Sequence, residues 1–334
     1  MATIRDVAQL AGVSVTTVSA TLNETAPVSK ELRARVWEAV KQAGYHPDPI
    51  ARNLRMGKSK TIGLVVPDIA TPWAAHLAKT MQGALSDIGY NMLFASNDDD
   101  PEREFREIDL FLAHRVAGLV IAPTTHGENY AARLKKVVRQ PAVLVDRIVP
   151  DTPFDAVTDD NFLGARLLTH HLLSLGHRDI AFLVGRPGIS ASFERFEGFC
   201  QTIADAGHTV RSDLVHHSIH KKHLAYNAVQ QLMMLKTPPT AICCISIAQL
   251  LGTMAGLQAM GLSVPDDVSV VAFDGFHPAE GWTPSITSLT QDISTLSAKA
   301  AQMLLERIDG SYQAAPRIER VAPSLTVRTS CRHI

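Results

Sequence analysis

Apolar residues in the first sixty positions recur every three or four residues, the spacing that places side chains on one face of an α-helix. The pattern predicts a first helix capped by Thr3 and ended by Gly12, followed by a second helix capped by Ser14. A third helix is predicted from Ser29 to Gly44. Two helices joined by a tight glycine turn form the helix-turn-helix pattern, whose second helix enters the major groove of DNA.

The second helix is predicted to expose small side chains to DNA. Val15, Thr16 and Ala20 are expected near base edges, while the hydroxyls of Thr17 and Ser19 suit phosphates. Such residues can contact a thymine methyl or a single acceptor, but none can form arginine's bidentate contact with guanine. Each residue alone is equally compatible with an ordinary surface helix. The ordered set of caps, turn and basic flank favours DNA binding.

A short helix is predicted between Asp48 and Gly57, and its two turns are too few for stability in isolation. Leu54 is a large apolar residue between Arg52 and Arg55 with little core to join. Proteins that bend DNA insert an apolar side chain beside cations into the minor groove, which predicts this role for Leu54. The alternative is that Leu54 packs against the following domain.

The remaining residues alternate short apolar runs with amphipathic stretches, from TIGLVV at residue 61 to VSVVAFDG at residues 268–275. The amphipathic stretches predict helices, among them one through Leu77, Met81, Leu85 and Ile88 and one from Pro101 to His114. Apolar runs separated by helices indicate parallel strands buried on both faces. Two such series predict a two-lobed, doubly wound α/β domain after the all-α headpiece. The predicted boundaries are 1–46 for the headpiece, 47–60 for the hinge and 61–334 for the α/β domain. Lobe one comprises about 61–159 and 291–320, and lobe two about 160–290 and 321–334.

Polar residues follow many of these runs, where ligands bind in open α/β sheets. A carboxylate, an arginine and an aromatic ring at strand ends suit hydrogen bonding and stacking on a small polar ligand. Each residue singly is also compatible with packing or a surface ion pair. The ligand-binding residues predicted in this way are Asp68, Trp73, Arg147, Arg195, Ser246, Asp274 and Gln291.

Charge is unevenly distributed along the chain, although the net formal charge is only -1. Residues 1–60 carry nine Lys/Arg against five acids, so the acidic excess lies in the remainder. A basic end on an acidic body favours a polyanionic partner for that end. The N-terminus lacks the apolar stretch of a signal peptide and no apolar run is long enough to span a bilayer, so we expect a cytoplasmic protein with no membrane partner.

The strings TIRDVAQLAGVSVTTVSATLN and VSKELRARVWEAVKQAGYHPDPIARNLR closely resemble the N-terminus of the lactose/galactose/purine repressor family. The resemblance runs through the whole chain. It implies a homodimer that binds a palindromic operator of double-stranded DNA and inserts Leu54 into the minor groove. The residues expected to contact DNA are Thr3, Ser14, Val15, Thr16, Thr17, Ser19, Ala20, Asn23, Ala51, Leu54 and Arg55. Because relatives like the lactose repressor carry Tyr, Gln and Arg where this chain has Val15, Thr16 and Ala20, the operator sequence cannot be transferred.

The resemblance also implies an effector domain like periplasmic sugar-binding proteins. Arg195 and Asp274 match the family's arginine and aspartate that hold effector, Trp73 and His220 match positions that are often aromatic, and Gln291 matches a polar crossover residue. Ser246-Ile247 replaces the family's usual Asn-Asp, which removes groups commonly used on sugar hydroxyls. Arg147 adds a cation, so a sugar acid or sugar phosphate is expected slightly ahead of a neutral sugar. The alternative is that a neighbouring acid such as Asp68 neutralises Arg147.

Other classes of function have less support. An enzyme is not expected because GxGxxG, GxxxxGK[ST], GxSxG and HExxH motifs are absent. A transport-type binding protein does not account for the first sixty residues. The histidines at 208, 216, 217, 220 and 223 do not have the spacing of a helical metal site, so neither metal nor cofactor is predicted. The segment after Arg328 has no leucine heptad to join two dimers, which favours a dimer.

Overall fold

In the N-terminal unit, Met1–Ser59, the described residues form three helices around a small apolar core. The computed structural model describes residues 2–23, 26–45, 59–274 and 283–334, with the side chain of Asn23 excepted. The helices are α1 (Ile4–Ala11), α2 (Val15–Asn23) and α3 (Lys30–Ala43). Their core is formed by the buried residues Val7, Ala8, Ala11, Val18, Val36, Ala39 and Val40.

The helix ends in this unit are fixed by local hydrogen bonds. Thr3 and Asp6 form a reciprocal capping box, in which the Thr3 amide donates to the Asp6 carboxylate at 2.7 Å. The Ser14 hydroxyl accepts from the Thr17 amide at 3.0 Å and begins α2. Gly12 ends α1 at φ 60°, a left-handed conformation that glycine adopts without strain. The predicted order of cap, helix, glycine turn and second helix is therefore present.

The second unit, Lys60–Ile334, contains two lobes that are each built on a six-stranded sheet. The strands of the first sheet are all parallel, in the order β11-β5-β4-β3-β1-β2. They are β1 (Thr61–Val66), β2 (Asn91–Ser96), β3 (Gly118–Ile121), β4 (Ala142–Val145), β5 (Asp155–Asp159) and β11 (Ile318–Val321). Its helices are α4 (Pro72–Ser86), α5 (Pro101–Ala113), α6 (Glu128–Val137) and α11 (Ile293–Asp309).

The second sheet has the order β12-β10-β9-β8-β6-β7, and its β12 is antiparallel to β10. Its strands are β6 (Ile180–Leu183), β7 (Val215–His216), β8 (Ala241–Cys244), β9 (Ser269–Ala272), β10 (Thr287–Thr290) and β12 (Ser324–Thr326). Its helices are α7 (Asn161–Ser174), α8 (Ser190–Asp205), α9 (Lys222–Met233) and α10 (Ile247–Ala259), with a 3₁₀ turn at Ser212–Leu214.

Both sheets are covered by helices on both faces. In the first lobe, one apolar cluster joins the sheet to α4 and α11, and another joins it to α5 and α6. In the second lobe, the corresponding clusters involve α9 with α10 and α7 with α8. The central strands β3, β4, β6, β8 and β9 are continuous apolar runs or nearly so, because neither of their faces is solvated, whereas the edge strands β2 and β11 carry exposed positions. The predicted fold class, a helical headpiece with a doubly wound, two-lobed α/β domain, is confirmed.

The chain crosses between the lobes at three places within residues 59–274 and 283–334: after β5, between β10 and α11, and between β11 and β12. The crossovers connect the lobes along one side of a cleft that receives the carboxyl ends of strands from both sheets. Among the described residues, no helix is long and apolar enough to cross a bilayer.

Candidate ligand cleft and nucleic-acid interface

The cleft between the lobes contains a cavity of about 540 Å³. Loops after strands of both sheets line the cavity, as the rule for open α/β sheets requires. The structure brings together all eight side chains that the sequence predicted to bind ligand: Asp68, Trp73, Arg147, Arg195, His220, Ser246, Asp274 and Gln291.

Arg195 is the most firmly positioned cation of the cleft. It lies on α8 and is only 7% exposed. Its Nε donates to the Asn161 side-chain oxygen at 2.8 Å, and one terminal nitrogen donates to the Ile245 carbonyl at 2.6 Å. The guanidinium also lies over the Phe273 ring, 3.5 Å from its centroid. These neutral contacts fix the plane of the guanidinium, and no acid among the described residues forms a direct ion pair with it.

Asp274 faces the same cavity at the end of β9. Burial raises the pKa of its carboxyl, which Arg195 lowers and Asp146 raises further, and the carboxylate accepts from the Ile247 amide. Asp159 is a neighbouring acid that the sequence analysis missed. It is 1% exposed, and neither of its carboxylate oxygens has a hydrogen-bond partner among the described residues. Burial and then the charge of Asp146 raise the pKa of Asp159 to about 7.

Arg147 is already paired within the first lobe. Its guanidinium lies 3.0 Å from Asp99 and 3.2 Å from Asp146, and it donates to the Pro123 carbonyl at 2.8 Å. The expected excess of positive charge from Arg147 is therefore wrong. The expectation that an acid neutralises Arg147 is right, but the suggested acid, Asp68, is not the partner. Its carboxylate instead accepts from the Ala70 amide at 2.8 Å.

The other predicted cleft residues offer polar or aromatic surface. The Trp73 ring is half-buried, and its Nε1 has no hydrogen-bond partner within the described part of the chain. Ser246 caps α10 by accepting from Gln249 at 3.3 Å, which uses the hydroxyl locally. His220 is exposed, with Nδ1 2.8 Å from the Ser218 carbonyl. Gln291 lies half-buried at a lobe crossover.

Several cleft residues escaped prediction because their local sequences suggest ordinary turns. Asp99 follows β2 in NDDDP, Arg186 follows β6 in GRPG, and Gln249 lies within the apolar helix α10. The strand-end rule could have identified Asp99 and Arg186, since Asp99 comes shortly after β2 and Arg186 shortly after β6. Gln249 gives no such signal. Its buried amide accepts from the Ile245 amide at 2.6 Å and donates to the Leu183 and Ile219 carbonyls, which fixes the loops beneath the cavity.

The histidines of residues 208–223 are mostly exposed, as expected of solvated side chains. Burial lowers the pKa of the half-buried His216. Across the residues that the structure describes, no group of three or more His, Cys, Asp or Glu side chains is arranged to hold a metal ion.

In the N-terminal unit, α2 carries most of the residues predicted to contact DNA. Val15 and Thr16 are exposed, whereas Ser19 and Ala20 are half-buried. The Thr17 hydroxyl is 2.8 Å from that of Ser14. Thr3 caps α1, and Asn23 is the last residue of α2. The predictions for Ala51, Leu54 and Arg55 lie outside the described residues.

A helix-turn-helix unit joined in one chain to a two-lobed α/β unit with an internal cavity defines a ligand-responsive transcription regulator. Residues 3–48 match the bacterial regulatory proteins of the lacI family, and residues 59–325 match the periplasmic binding proteins and sugar binding domain of the LacI family. The chain belongs to the LacI family of bacterial transcription regulators. It is a DNA-binding repressor with an effector domain, and the family is not enzymatic.

Similar proteins match along their full length. The HTH-type transcriptional repressor PurR of Actinobacillus pleuropneumoniae serotype 3 is 32% identical, with 100% of this chain and 99% of the relative covered. PurR of Haemophilus influenzae strain PittEE is 31% identical over 100% of both chains. The lac repressor dimer bound to operator and the anti-inducer ONPF is similar in fold, with a TM-score of 0.88, 24% identity and 99% coverage of both chains.

A further similar structure is the transcriptional regulator CelR in complex with cellobiose. It has a TM-score of 0.75 and 28% identity, and covers 99% of this chain and 100% of its own. Operator DNA, a dimeric state and a small-molecule effector are typical partners in the family.

Proposed function

We propose that the protein represses transcription as a homodimer on a palindromic operator, and that a small polar ligand in the cleft sets its operator affinity. The proposal that the cleft binds a ligand rests on one observation. Eight predicted ligand-binding residues, far apart in the sequence between positions 68 and 291, line a single cavity. Arg195 and Asp274 are the proposed primary ligand contacts, because they offer a donor fork and an acceptor that burial strengthens.

The proposed effector is an uncharged sugar or a close derivative. Arg147 and Arg186 are compensated by Asp99, Asp146 and main-chain carbonyls, so they provide little free positive charge. Arg195 lies near the carboxyl groups of Asp274 and the buried Asp159. These two acids oppose the binding of an anion beside Arg195. Sugar acids and sugar phosphates, which the sequence favoured, thereby lose the argument that supported them. The similar CelR structure contains cellobiose, which agrees with a sugar.

For the DNA half, we propose that the exposed Val15 and Thr16 contact base edges, together with Ala20. The DNA backbone would be contacted, or the orientation of α2 on the DNA fixed, by Thr3, Ser14, Thr17, Ser19 and Asn23. The minor groove would be contacted by Ala51, Leu54 and Arg55. The apolar and hydroxyl side chains of α2 suit thymine methyl groups and single acceptors. Coupling between effector and operator of about 1–3 kcal/mol is typical of such allostery and must be reciprocal.

A matched ligand series tests the effector. Thermal shift with glucose, gluconate, glucose 6-phosphate, cellobiose, ribose and hypoxanthine compares neutral sugars with anions of the same skeleton and with a nucleobase. A ligand at a hundred times its Kd stabilises the folded protein by about 2.7 kcal/mol. We expect a neutral sugar to raise Tm, and Arg195→Gln to abolish the rise. A rise with the anions alone contradicts the proposed effector class.

Selection from a randomised DNA pool tests the operator. We expect enrichment of a palindrome whose half-sites lie about one helical turn, roughly 34 Å, apart. The ligand that raises Tm is then added to a gel-shift titration with the selected site. Unchanged operator affinity in its presence contradicts the proposed coupling, even where both separate binding events are observed.

A further inference from the structure

Arg186 reaches across the ligand cleft from the second lobe to the first. It follows β6, and its guanidinium donates to the main-chain carbonyls of Asp99, at 3.2 Å, and of Thr124. The same guanidinium lies 3.7 Å from the Asp99 carboxylate. A single side chain of lobe two thus bonds two separate loops of lobe one.

The two acceptor loops are held in place by one buried carboxylate. Glu104 is fully buried, and it accepts from the Thr124 amide at 2.8 Å and from the Asn97 side-chain amide at 3.2 Å. Asn97 in turn accepts from the Asp99 amide at 3.0 Å. Because these bonds fix the main chain at Asp99 and Thr124, both carbonyls are positioned before Arg186 meets them.

The Asp99 side chain is held from its own lobe as well. Arg147 donates to the Asp99 carboxylate at 3.0 Å, so this carboxylate lies between one guanidinium from each lobe. Arg147 also donates to the Pro123 carbonyl beside Thr124. The side chains of Asp99, Arg147 and Arg186 and the Thr124 carbonyl therefore form one connected network, which we call the cross-lobe network.

The cross-lobe network lies far from the crossovers, so it is strained early when the lobes separate. Two crossovers leave lobe one from β5 and β11 at one edge of the sheet, whereas Asp99 follows β2 at the opposite edge. From β5 to β2 there are four strand spacings, or roughly 19 Å. On the crossover side, a second bridge joins Arg320 to Glu194 at 2.8 Å. Rotation about the crossovers separates the β2 side most, and so acts on the cross-lobe network first.

We propose that the cross-lobe network is a latch that holds the two lobes together across the cleft. Arg186 is the part of the latch that moves. The main-chain carbonyls of Asp99 and Thr124, which accept its hydrogen bonds, are called its seat. Arg147 and Glu104 are positioning residues that keep the seat in place. The lobes separate only after Arg186 has left its seat, so the latch sets how often the cleft opens. This proposal does not depend on the identity of the effector.

Hydrogen exchange of the full-length protein tests the latch without any ligand. The Ile148 amide of lobe one donates to the Ser190 hydroxyl of lobe two at 2.8 Å, so its protection reports on lobe closure. We expect Arg186→Gln to speed exchange at Ile148 about tenfold, as the loss of charge-assisted hydrogen bonds that are partly screened by solvent predicts. Exchange of the buried β3 amides stays at the wild-type rate.

Arg166→Gln is the matched control, because Arg166 forms a comparable ion pair with Asp205, at 3.2 Å, within lobe two. We expect this control to leave Ile148 exchange within about twofold of wild type, as an exposed ion pair contributes little. The Asp99→Asn and Arg186→Gln changes combined should act less than additively, since they remove one shared contact.

Three outcomes overturn the latch. The first is wild-type exchange at Ile148 in Arg186→Gln. The second is an equal acceleration in Arg166→Gln. The third is equal acceleration of the β3 amides, which indicates loss of lobe stability rather than separation of the lobes.

Discussion

The guanidinium of Arg195 lies 3.5 Å from the centroid of the Phe273 ring, which supports it from the core side. Its contacts with Asn161 and Ile245 are neutral, whereas Arg147 and Arg186 are compensated by acids. In the part of the chain that the structure describes, three arginines line the cavity, and Arg195 is the one of the three that has no direct ion pair. The charge of Arg195 is therefore offset only by the more distant carboxyl groups of Asp274 and Asp159, and its guanidinium is the proposed primary donor to the ligand.

Arg195→Lys is expected to weaken binding of the ligand identified by thermal shift at least tenfold. Lysine keeps the charge, but it cannot donate in the planar fork that joins Asn161, Ile245 and the cleft, nor stack comparably on Phe273. Isothermal titration calorimetry measures the change. Arg166→Lys, outside the cavity, serves as control and should retain wild-type affinity. Equal affinities of the two variants remove Arg195 from the proposed contacts.

Glu104→Gln is expected to reduce the pH dependence of stability. Burial raises the pKa of Glu104 to about 7 from its ordinary 4.5, so the folded protein favours the protonated acid. Its contribution to stability is thus full below about pH 4.5 and is lost as pH rises through 7. Between pH 5.5 and 8 this loss amounts to about 2 kcal/mol.

Glutamine resembles the protonated acid and does not titrate, so the variant should lose less stability between these pH values. Urea unfolding at pH 5.5 and pH 8 measures the difference. Glu102→Gln, two residues earlier on the same helix and exposed, is the control and should retain the wild-type pH dependence. An unchanged dependence in Glu104→Gln places the titration elsewhere, with the buried Asp159, whose pKa is also raised to about 7, as the next variant to measure.

The strand-end rule predicted the cleft lining because parallel strands deliver their carboxyl ends to one side of a sheet. Asp68, Asp274 and Ser246 could be assigned to that side without knowing which strands are neighbours. The pairing of Arg147 with Asp99 could not be predicted, because Asp99 follows β2 and is 48 residues distant in sequence. That pairing depends on the order of β1, β2 and β3 in the sheet, which the apolar runs do not encode.

The ends of helices were also predicted only in part from the sequence. The pattern predicted a helix from Pro101 to His114, and the structure has Pro101–Ala113. The predicted start is right because Asp100 caps the helix there. The preceding helix was expected to include Ile88, but it ends at Ser86 and Ile88 is exposed. Gly89, at φ 77°, turns the chain into β2 just after this point. Apolar periodicity alone therefore placed the end of that helix too late.

Thr3→Ala is expected to destabilise the start of α1 by about 1 kcal/mol, because it removes the capping box with Asp6. Hydrogen exchange at the α1 amides of the DNA-free protein measures the loss as an increase of about fivefold. Thr3→Ser keeps the capping hydroxyl and should exchange like wild type. Equal exchange in Thr3→Ala and Thr3→Ser contradicts a stabilising role for this cap.

Leu54→Ala is expected to lose most of the operator affinity while the dimer stays folded. This follows from the sequence, in which Leu54 stands between two arginines, and residue 54 lies outside the described residues. A minor-groove wedge contributes by holding the DNA bent, so the variant should also bend a selected operator less. Gel-shift titration and circular-permutation assays measure the two effects. Wild-type affinity in a folded variant indicates that Leu54 serves only in packing.

Ala20→Arg is expected to change which half-site the protein prefers rather than to weaken all binding equally. Ala20 is half-buried on α2, on the helix that also exposes Val15 and Thr16. An arginine there gains a bidentate donor for guanine, a contact worth about 1–3 kcal/mol of discrimination between bases. A phosphate contact instead strengthens all sequences alike and increases the salt dependence of binding. Selection from randomised half-sites separates the two results, because an unchanged consensus with tighter binding throughout places residue 20 against the backbone.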